Sequence, residues 1–103
     1  MNARIANLSD AGEAPAQGER FVELARLGNT TIETIVSSAD PSTEIYDQPH
    51  DEWVLLLGGT AELEVAGARV SLRAGDWLLL PAHTPHRVLG TSDGARWLAV
   101  HAT

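Results

Sequence analysis

The 103-residue sequence contains neither cysteine nor lysine, so all seven of its basic residues are arginines. Without cysteine, the chain can form no disulfide, no zinc–thiolate site and no cysteine nucleophile. This absence also fits a reducing compartment. Without lysine, no Schiff base can form through an ε-amino group. Thiol chemistry and lysine-based covalent catalysis are therefore both excluded.

Positive charge and long apolar runs are also scarce. Seven arginines face 14 acidic residues, and the net charge of −7 argues against nucleic acid and anionic membrane surfaces as partners. No segment approaches the roughly 20 apolar residues of a membrane-spanning helix. The first twenty residues contain no apolar stretch long enough for a signal peptide. We therefore expect a cytoplasmic protein that binds neither nucleic acid nor membranes.

Hydrophobic residues make up 44% of the chain, which is enough for the core of one ordinary domain. Residues 1–19 are rich in alanine, glycine, asparagine and acidic residues, and we interpret them as an N-terminal arm that is flexible in part. From residue 20 onward the composition changes to short apolar segments. Residues 20–103 are therefore predicted to form a single domain.

Those segments alternate between apolar and polar residues with a period of two, which is typical of half-buried strands. Leu63 and Val65 alternate with Glu62 and Glu64, for example, and no segment keeps a helical period. The links between segments are short and rich in glycine, proline and aspartate, as tight turns are. We predict an all-β, antiparallel protein, with these leading core candidates: Leu55, Leu57, Leu63, Val65, Leu72 and Leu79. The three tryptophans are expected in the core or at an interface.

Two segments carry recognisable spacing. In EWVLLLGG, six residues separate Glu52 from Gly59, and GDWLLLPAHTPH places Pro81, His83 and His86 at fixed distances after its first glycine. This resembles the two cupin motifs, G-x5-H-x-H-x3,4-E-x6-G and G-x5-P-x-G-x2-H-x3-N, with His83 in place of a glycine. The resemblance covers about residues 20–101. It implies an RmlC-like jelly-roll β-barrel of eight to ten antiparallel strands.

The chain departs from those motifs at several positions that usually bind a metal. Tyr46 and Gln48 stand where the first motif has its two histidines, and Gly90 stands at the final asparagine of the second. Only Glu52 and His86 keep the expected residue types. Gln48 and the nearby His50, which has the same strand parity as Glu52, are candidates to complete a ligand set.

The resemblance implies one divalent transition metal, such as Zn, Ni, Fe or Mn, because imidazole and carboxylate suit these ions. The predicted ligands are His86, Glu52, Gln48 and His50. Tyr46 and His83 are predicted to line an adjoining ligand pocket. Other interpretations remain open: Glu52 pairs with Arg87 or Arg96, His86 is only a hydrogen-bonded interior residue, Tyr46 packs in the core, and His50 and His83 lie at the surface. His101, near the chain end, is interpreted as structural.

Two functions follow from the resemblance. In the first, a polar site at the barrel mouth binds a metal and a small organic ligand, and the protein is an enzyme such as an oxygenase, isomerase or lyase. In the second, the motifs have lost the metal, and the chain is a ligand-binding or interaction module without activity. In both cases we expect a homodimer, because Phe21, Val22 and Ile32 give the first strands spare apolar surface.

Overall fold

The computed structural model describes residues 3–103, so residues 1 and 2 of the predicted arm lie outside the described residues. A short 3-10 helix, Leu8–Ala11, precedes the strands. The strands are β1 (Glu19–Leu27), β2 (Thr30–Ser37), β3 (Asp51–Gly58), β4 (Thr60–Val65), β5 (Ala68–Arg73), β6 (Trp77–Leu80), β7 (His86–Thr91) and β8 (Ala95–Ala102). Residues 3–103 contain no α-helix, so the all-β prediction is confirmed.

The strands form two antiparallel sheets that face each other. The larger sheet has the order β1-β2-β8-β3-β6, and the smaller has the order β5-β4-β7. The two motif segments are adjacent because β3, which carries Glu52, pairs with β6, which belongs to the second motif. The second motif then continues into β7 of the smaller sheet, where His86 lies. A bridge between Tyr46 and His86 connects the loop before β3 to the start of β7.

The turn from β3 to β4 explains the second glycine of the first motif. Gly59 has a φ of +84°, which favours glycine. A Cβ at this position would lie 2.5 Å from the Ser92 side-chain oxygen and 3.0 Å from the Ala95 Cα. Both the backbone conformation and the close approach of the turn to Ser92–Ala95 therefore require glycine here.

The core lies between the inner faces of the two sheets. The prediction is confirmed for Leu63 and Leu72, which are buried, and Val65 packs against the core while half-buried. The other buried apolar residues on these faces are Val54, Leu56, Ala61, Leu80, Ala95, Trp97 and Ala99.

Three of the core predictions are wrong. Leu57 and Leu79 are exposed and Leu55 is only half-buried, because all three lie on the outer face of the larger sheet. In β3 the side chains alternate, and since Glu52 points inward, Val54 and Leu56 do as well. Both faces of β3 carry apolar residues, and this is why the sequence of the strand shows one continuous apolar run.

The segment before β1 is fixed to the sheet through its backbone. The Arg96 guanidinium donates to the carbonyls of Leu8 and Gly12 at 3.0 and 2.9 Å, and Arg20 donates to the carbonyl of Glu13 at 3.0 Å. No helix in the described part of the chain is long and apolar enough to cross a membrane.

Candidate functional site

A cavity of about 110 Å³ lies between the two sheets, and we call it the inner cavity. Its apolar wall includes Phe21, Ile35, Val54, Leu63, Val88 and Trp97. Its polar residues include Glu19, Glu33, Tyr46, Gln48, Glu52, His86 and His101. The alternation of β1, β2, β3 and β8 brings the polar groups together, because Glu52 and His101 are paired across β3 and β8 on the inner face.

Glu52 is the buried charged residue at the centre of this polar group. It is 7% exposed, and it makes no side-chain hydrogen bond with the described residues. Its two oxygens lie 3.6 Å from the Nε2 atoms of His86 and His101, one oxygen to each ring. Glu52 therefore faces the interior within reach of His86.

Neither of the proposed arginines pairs with Glu52. Arg87 forms an ion pair with Glu64 at 3.2 Å, across β7 and β4. Arg96 is bound to backbone carbonyls of the N-terminal segment, on the opposite face of β8. The Glu52 carboxylate is therefore balanced only by the two imidazoles.

His86 is held so that one nitrogen faces the cavity. Its Nδ1 lies 2.9 Å from the carbonyl of Thr84, and because a carbonyl only accepts, Nδ1 must carry a hydrogen. Nε2 is left facing Glu52, and the Tyr46 ring stacks on the imidazole at a centroid distance of 5.8 Å. The interaction with Glu52 raises the pKa of His86, and burial opposes that rise.

His101 belongs to the same cluster, although its position near the chain end suggests a structural residue. Its Nε2 donates to a Glu33 oxygen at 2.9 Å, and its Nδ1 lies 3.1 Å from Nε2 of His50. The Glu33 hydrogen bond raises the pKa of His101 against the effect of burial. A signal was present, since the alternation that places Trp97 and Ala99 on one face of β8 reaches His101 two residues later.

The remaining predicted site residues divide between the cavity and the surface. Tyr46 and Gln48 line the inner cavity, whereas His50 and His83 do not. His50 lies behind His101, because Pro49 and the bend at residues 49–50 precede the start of β3. His83 is at the surface with a φ of +61°, and its Nδ1 lies 3.1 Å from Asp47. A positive φ at this position explains why the resembled motif has glycine here.

The donor groups do not fit a metal ion as they are arranged. Among residues 3–103, no group of three or more His, Asp or Glu side chains could hold one. The Nε2 atom of His101 is engaged with Glu33 at 2.9 Å, and the Nε2 atoms of His86 and His101 each lie 3.6 Å from an oxygen of Glu52. The predicted four-residue set is also divided, because His50 lies outside the cavity.

The charged residues that line the inner cavity are mostly acidic. Three carboxylates, those of Glu19, Glu33 and Glu52, line it, and no arginine does. Burial raises the pKa of Glu19, against a hydrogen bond from the Ser42 backbone. Burial also raises the pKa of Tyr46, and the surrounding carboxylates add to that rise. The site therefore combines negative charge with titratable imidazoles.

Comparison with known proteins gives a consistent result. A cupin domain model matches residues 32–101. A solved structure from Ralstonia eutropha JMP134, provisionally named as a mannose-6-phosphate isomerase, is 39% identical, with a TM-score of 0.84 over 97% of this chain and 98% of that one. KdgF from Halomonas sp. is 14% identical, with a TM-score of 0.82 over 99% and 96% of the two chains. An RmlC-like cupin from Desulfovibrio desulfuricans is 21% identical, with a TM-score of 0.81 over 98% and 97%. No curated protein matches the chain.

Proposed function

Because this chain belongs to the cupin domain family, whose fold hosts many unrelated activities, we propose from its own residues that the inner cavity binds one small organic molecule and exchanges a proton with it. The observation that carries the proposal is Glu52, which is buried at the cavity and makes no side-chain hydrogen bond with residues 3–103, its oxygens lying 3.6 Å from two imidazole nitrogens. Burial of a carboxylate in this way costs free energy. A role in binding or proton transfer accounts for its presence.

The cavity has the form of a small-molecule site. It is concave, its wall is mostly apolar, and its polar groups are gathered from β1, β2, β3, β7, β8 and the loop before β3. A water molecule needs roughly 10–15 Å³ of such space, and the cavity volume is about 110 Å³. It therefore accepts a compact ligand of several non-hydrogen atoms.

Glu52 and His86 supply an acid and a base to the same ligand. Thr84 holds the Nδ1 hydrogen of His86, so Nε2 is the nitrogen that gains and loses a proton at the cavity. The raised pKa of His86 keeps imidazolium available near neutral pH as a proton donor, and the Glu52 carboxylate is a proton acceptor. These are the groups needed for isomerisation or elimination in a small carbon compound.

No step of this proposal passes through a metal ion, because no group of three or more His, Asp or Glu side chains among residues 3–103 is arranged to hold one. Binding should accordingly be the same with and without a chelator. The test begins with the thermal unfolding midpoint of the wild-type protein in EDTA, measured with small amines, alcohols and carboxylic acids. At least one class should raise the midpoint, and the proposal is wrong if none does.

Proton exchange is tested separately with hydroxyacetone in D₂O. Glu52 would take a proton from the carbon next to the carbonyl, while His86 Nε2–H protonates the carbonyl oxygen and gives an enediol. Reversal with deuterium from solvent labels that carbon, which NMR detects. Glu52→Gln should abolish labelling, and Glu62→Gln, on the outer face of the smaller sheet, should leave it unchanged. Equal labelling in wild type and Glu52→Gln would remove the catalytic part of the proposal.

A further inference from the structure

The charged groups that line the inner cavity restrict the charge of its ligand. Glu19, Glu33 and Glu52 come from three different strands, and they face the cavity together with two imidazoles. Even with all three carboxylates ionised and both imidazoles protonated, the lining carries one net negative charge. With neutral imidazoles it carries three. As long as its three carboxylates are ionised, the lining is therefore negative in both protonation states of the imidazoles.

No positively charged residue type other than histidine reaches this site. The chain has no lysine, and none of its seven arginines lines the cavity. Arg87 is engaged with Glu64, and Arg96 is engaged with the N-terminal backbone. The inner cavity thus has no guanidinium to form the bidentate pair that proteins use for phosphate and carboxylate groups.

The surroundings of the Glu52 carboxylate independently favour a ligand that donates hydrogen bonds to it. Its side chain is 8% exposed, it lines the cavity, and its oxygens make no hydrogen bond. At 3.6 Å, the two imidazole nitrogens are close enough for electrostatic attraction but too far for a good hydrogen bond. An ammonium group, which has only donors, would supply the missing hydrogen bonds.

We propose that the ligand of the inner cavity is an organic amine, bound as its ammonium ion, with a compact apolar body. The ammonium group lies on the cavity side of Glu52 and Glu33, next to the His101 Nε2 that faces both carboxylates, and the apolar body contacts Val54, Leu63 and Val88. The Tyr46 ring gives the cation a further favourable surface. This inference rests on the proposed function, since it names the class of molecule that the same cavity binds.

The negative charge of the inner cavity also excludes a phosphorylated ligand. A phosphate would enter a cavity that already carries three carboxylates, and it would find no arginine, lysine or helix N-terminus to bind it. The substrate in the provisional name of the Ralstonia eutropha protein, mannose 6-phosphate, therefore does not suit this chain. Discrimination between cation and anion should be large because buried charges are weakly screened.

The test uses three probes of similar size and shape that differ in charge: benzylammonium, benzyl alcohol and benzoate. Isothermal titration calorimetry in EDTA, at neutral pH, compares their dissociation constants on the wild-type protein. Benzylammonium should bind at least about tenfold more tightly than benzyl alcohol, as expected for a charged hydrogen bond in a partly buried site. Benzoate should bind more weakly than either.

Matched variants locate the effect. Glu52→Gln and Glu33→Gln remove one charge each with little change in shape, and each should reduce the preference for benzylammonium over benzyl alcohol about tenfold or more. Glu62→Gln removes a carboxylate from the outer face of the smaller sheet and should leave the preference unchanged. An unfolding curve for each variant establishes that it is folded.

The outcomes separate this inference from the function on which it rests. If benzyl alcohol or benzoate binds as tightly as benzylammonium, the amine inference is overturned while the binding function stands. If none of the three probes nor any other small molecule of the unfolding panel binds, both are overturned. Preference for benzylammonium that persists in both Glu52→Gln and Glu33→Gln would also overturn the inference, because these carboxylates would not be its source.

Discussion

The two faces of β3 are arranged opposite to what hydrophobicity alone suggests. Its inner face carries a charged residue, Glu52, next to Val54 and Leu56, while its outer face carries the apolar side chains of Trp53, Leu55 and Leu57 after Asp51 at the strand start. The neighbouring strand β6 continues the outer face with Trp77 and Leu79, which are 59% and 60% exposed. The polar cavity residues thus lie inside the sheet and an apolar surface lies outside it.

The largest expected effect is on the free energy of unfolding, and it should differ between two adjacent leucines. Leu56 is fully buried, whereas Leu57 is 38% exposed on the outer face. Leu56→Ala should lower the free energy of unfolding by about 2–5 kcal/mol, since it leaves a cavity in the core. Leu57→Ala should cost less than about 1 kcal/mol. Urea unfolding of both variants measures the difference, and equal losses would mean that the strand alternation is wrong.

The second prediction concerns what covers the outer face. The chain has a net charge of −7 and repels its own copies, but beyond Asp51 at the start of β3 the outer-face residues of β3 and β6 are all apolar. We propose that a second copy packs on this apolar surface, and not on the first strands where Phe21, Val22 and Ile32 predicted it. Leu79→Asp should weaken dimerisation by about tenfold or more, because it places a charge in an apolar contact.

Sedimentation velocity at micromolar concentration measures this effect. The matched control is Ile45→Asp, which changes an equally exposed apolar residue, at 61%, in the loop before β3. The control should sediment like wild type. A wild-type protein that sediments as an 11.0 kDa monomer would contradict the dimer altogether.

The third prediction is the pH response of the inner face. The pKa values of His86 and His101 are raised in the folded protein, chiefly by Glu52 and Glu33 respectively. A raised pKa contributes stability that is fully present below the unfolded value of about 6.5 and is lost as the pH rises through the folded values. The free energy of unfolding should therefore fall through this window.

Urea unfolding at a series of pH values from about 6 to 8 measures that slope. In Glu52→Gln the slope should be smaller, because the main cause of the raised His86 pKa is gone. His83→Ala is the control, since His83 is a surface residue outside the cluster. A Glu52→Gln slope as steep as that of wild type would contradict the assignment.

The smallest effect is expected at the surface turn before β7. His83 has a φ of +61°, a conformation that costs a residue with a side chain roughly 1–2 kcal/mol. His83→Gly removes that strain but loosens the unfolded chain, so the net gain should be about 0.5 kcal/mol. Thermal unfolding measures the change, and a clear loss of stability would show that the side chain matters more than the backbone.

Much of the fold could be predicted from the sequence, because alternation and turn residues are local signals. Glu52 and His86 were found through motif spacing, which records two strands that meet in space. The parity of β3 was missed because Trp53, Leu55 and Leu57 look as apolar as Val54 and Leu56. Both sets suit a core, and only their position relative to Glu52 separates them.

The rest of the site depends on contacts between distant segments. Glu33 and His101 are 68 residues apart and meet only because β2 and β8 are neighbours in the sheet. His50 was placed with Glu52 on parity, yet the bend before β3 interrupts the alternation. Strand order and loop bends are set by the whole chain, so local patterns carry little information about them.

The position of Trp97 makes it an internal optical reporter. Its ring lines the inner cavity, it is 4% exposed, and its indole N–H is bonded to Ser37 at 3.1 Å. Trp77 is open to water and Trp53 contacts it at a ring distance of 6.2 Å, so both emit from a different environment. With those two replaced by phenylalanine, fluorescence would come from the cavity wall alone. Arrival of a molecule beside Trp97 would then change the emission colour or yield without any attached dye.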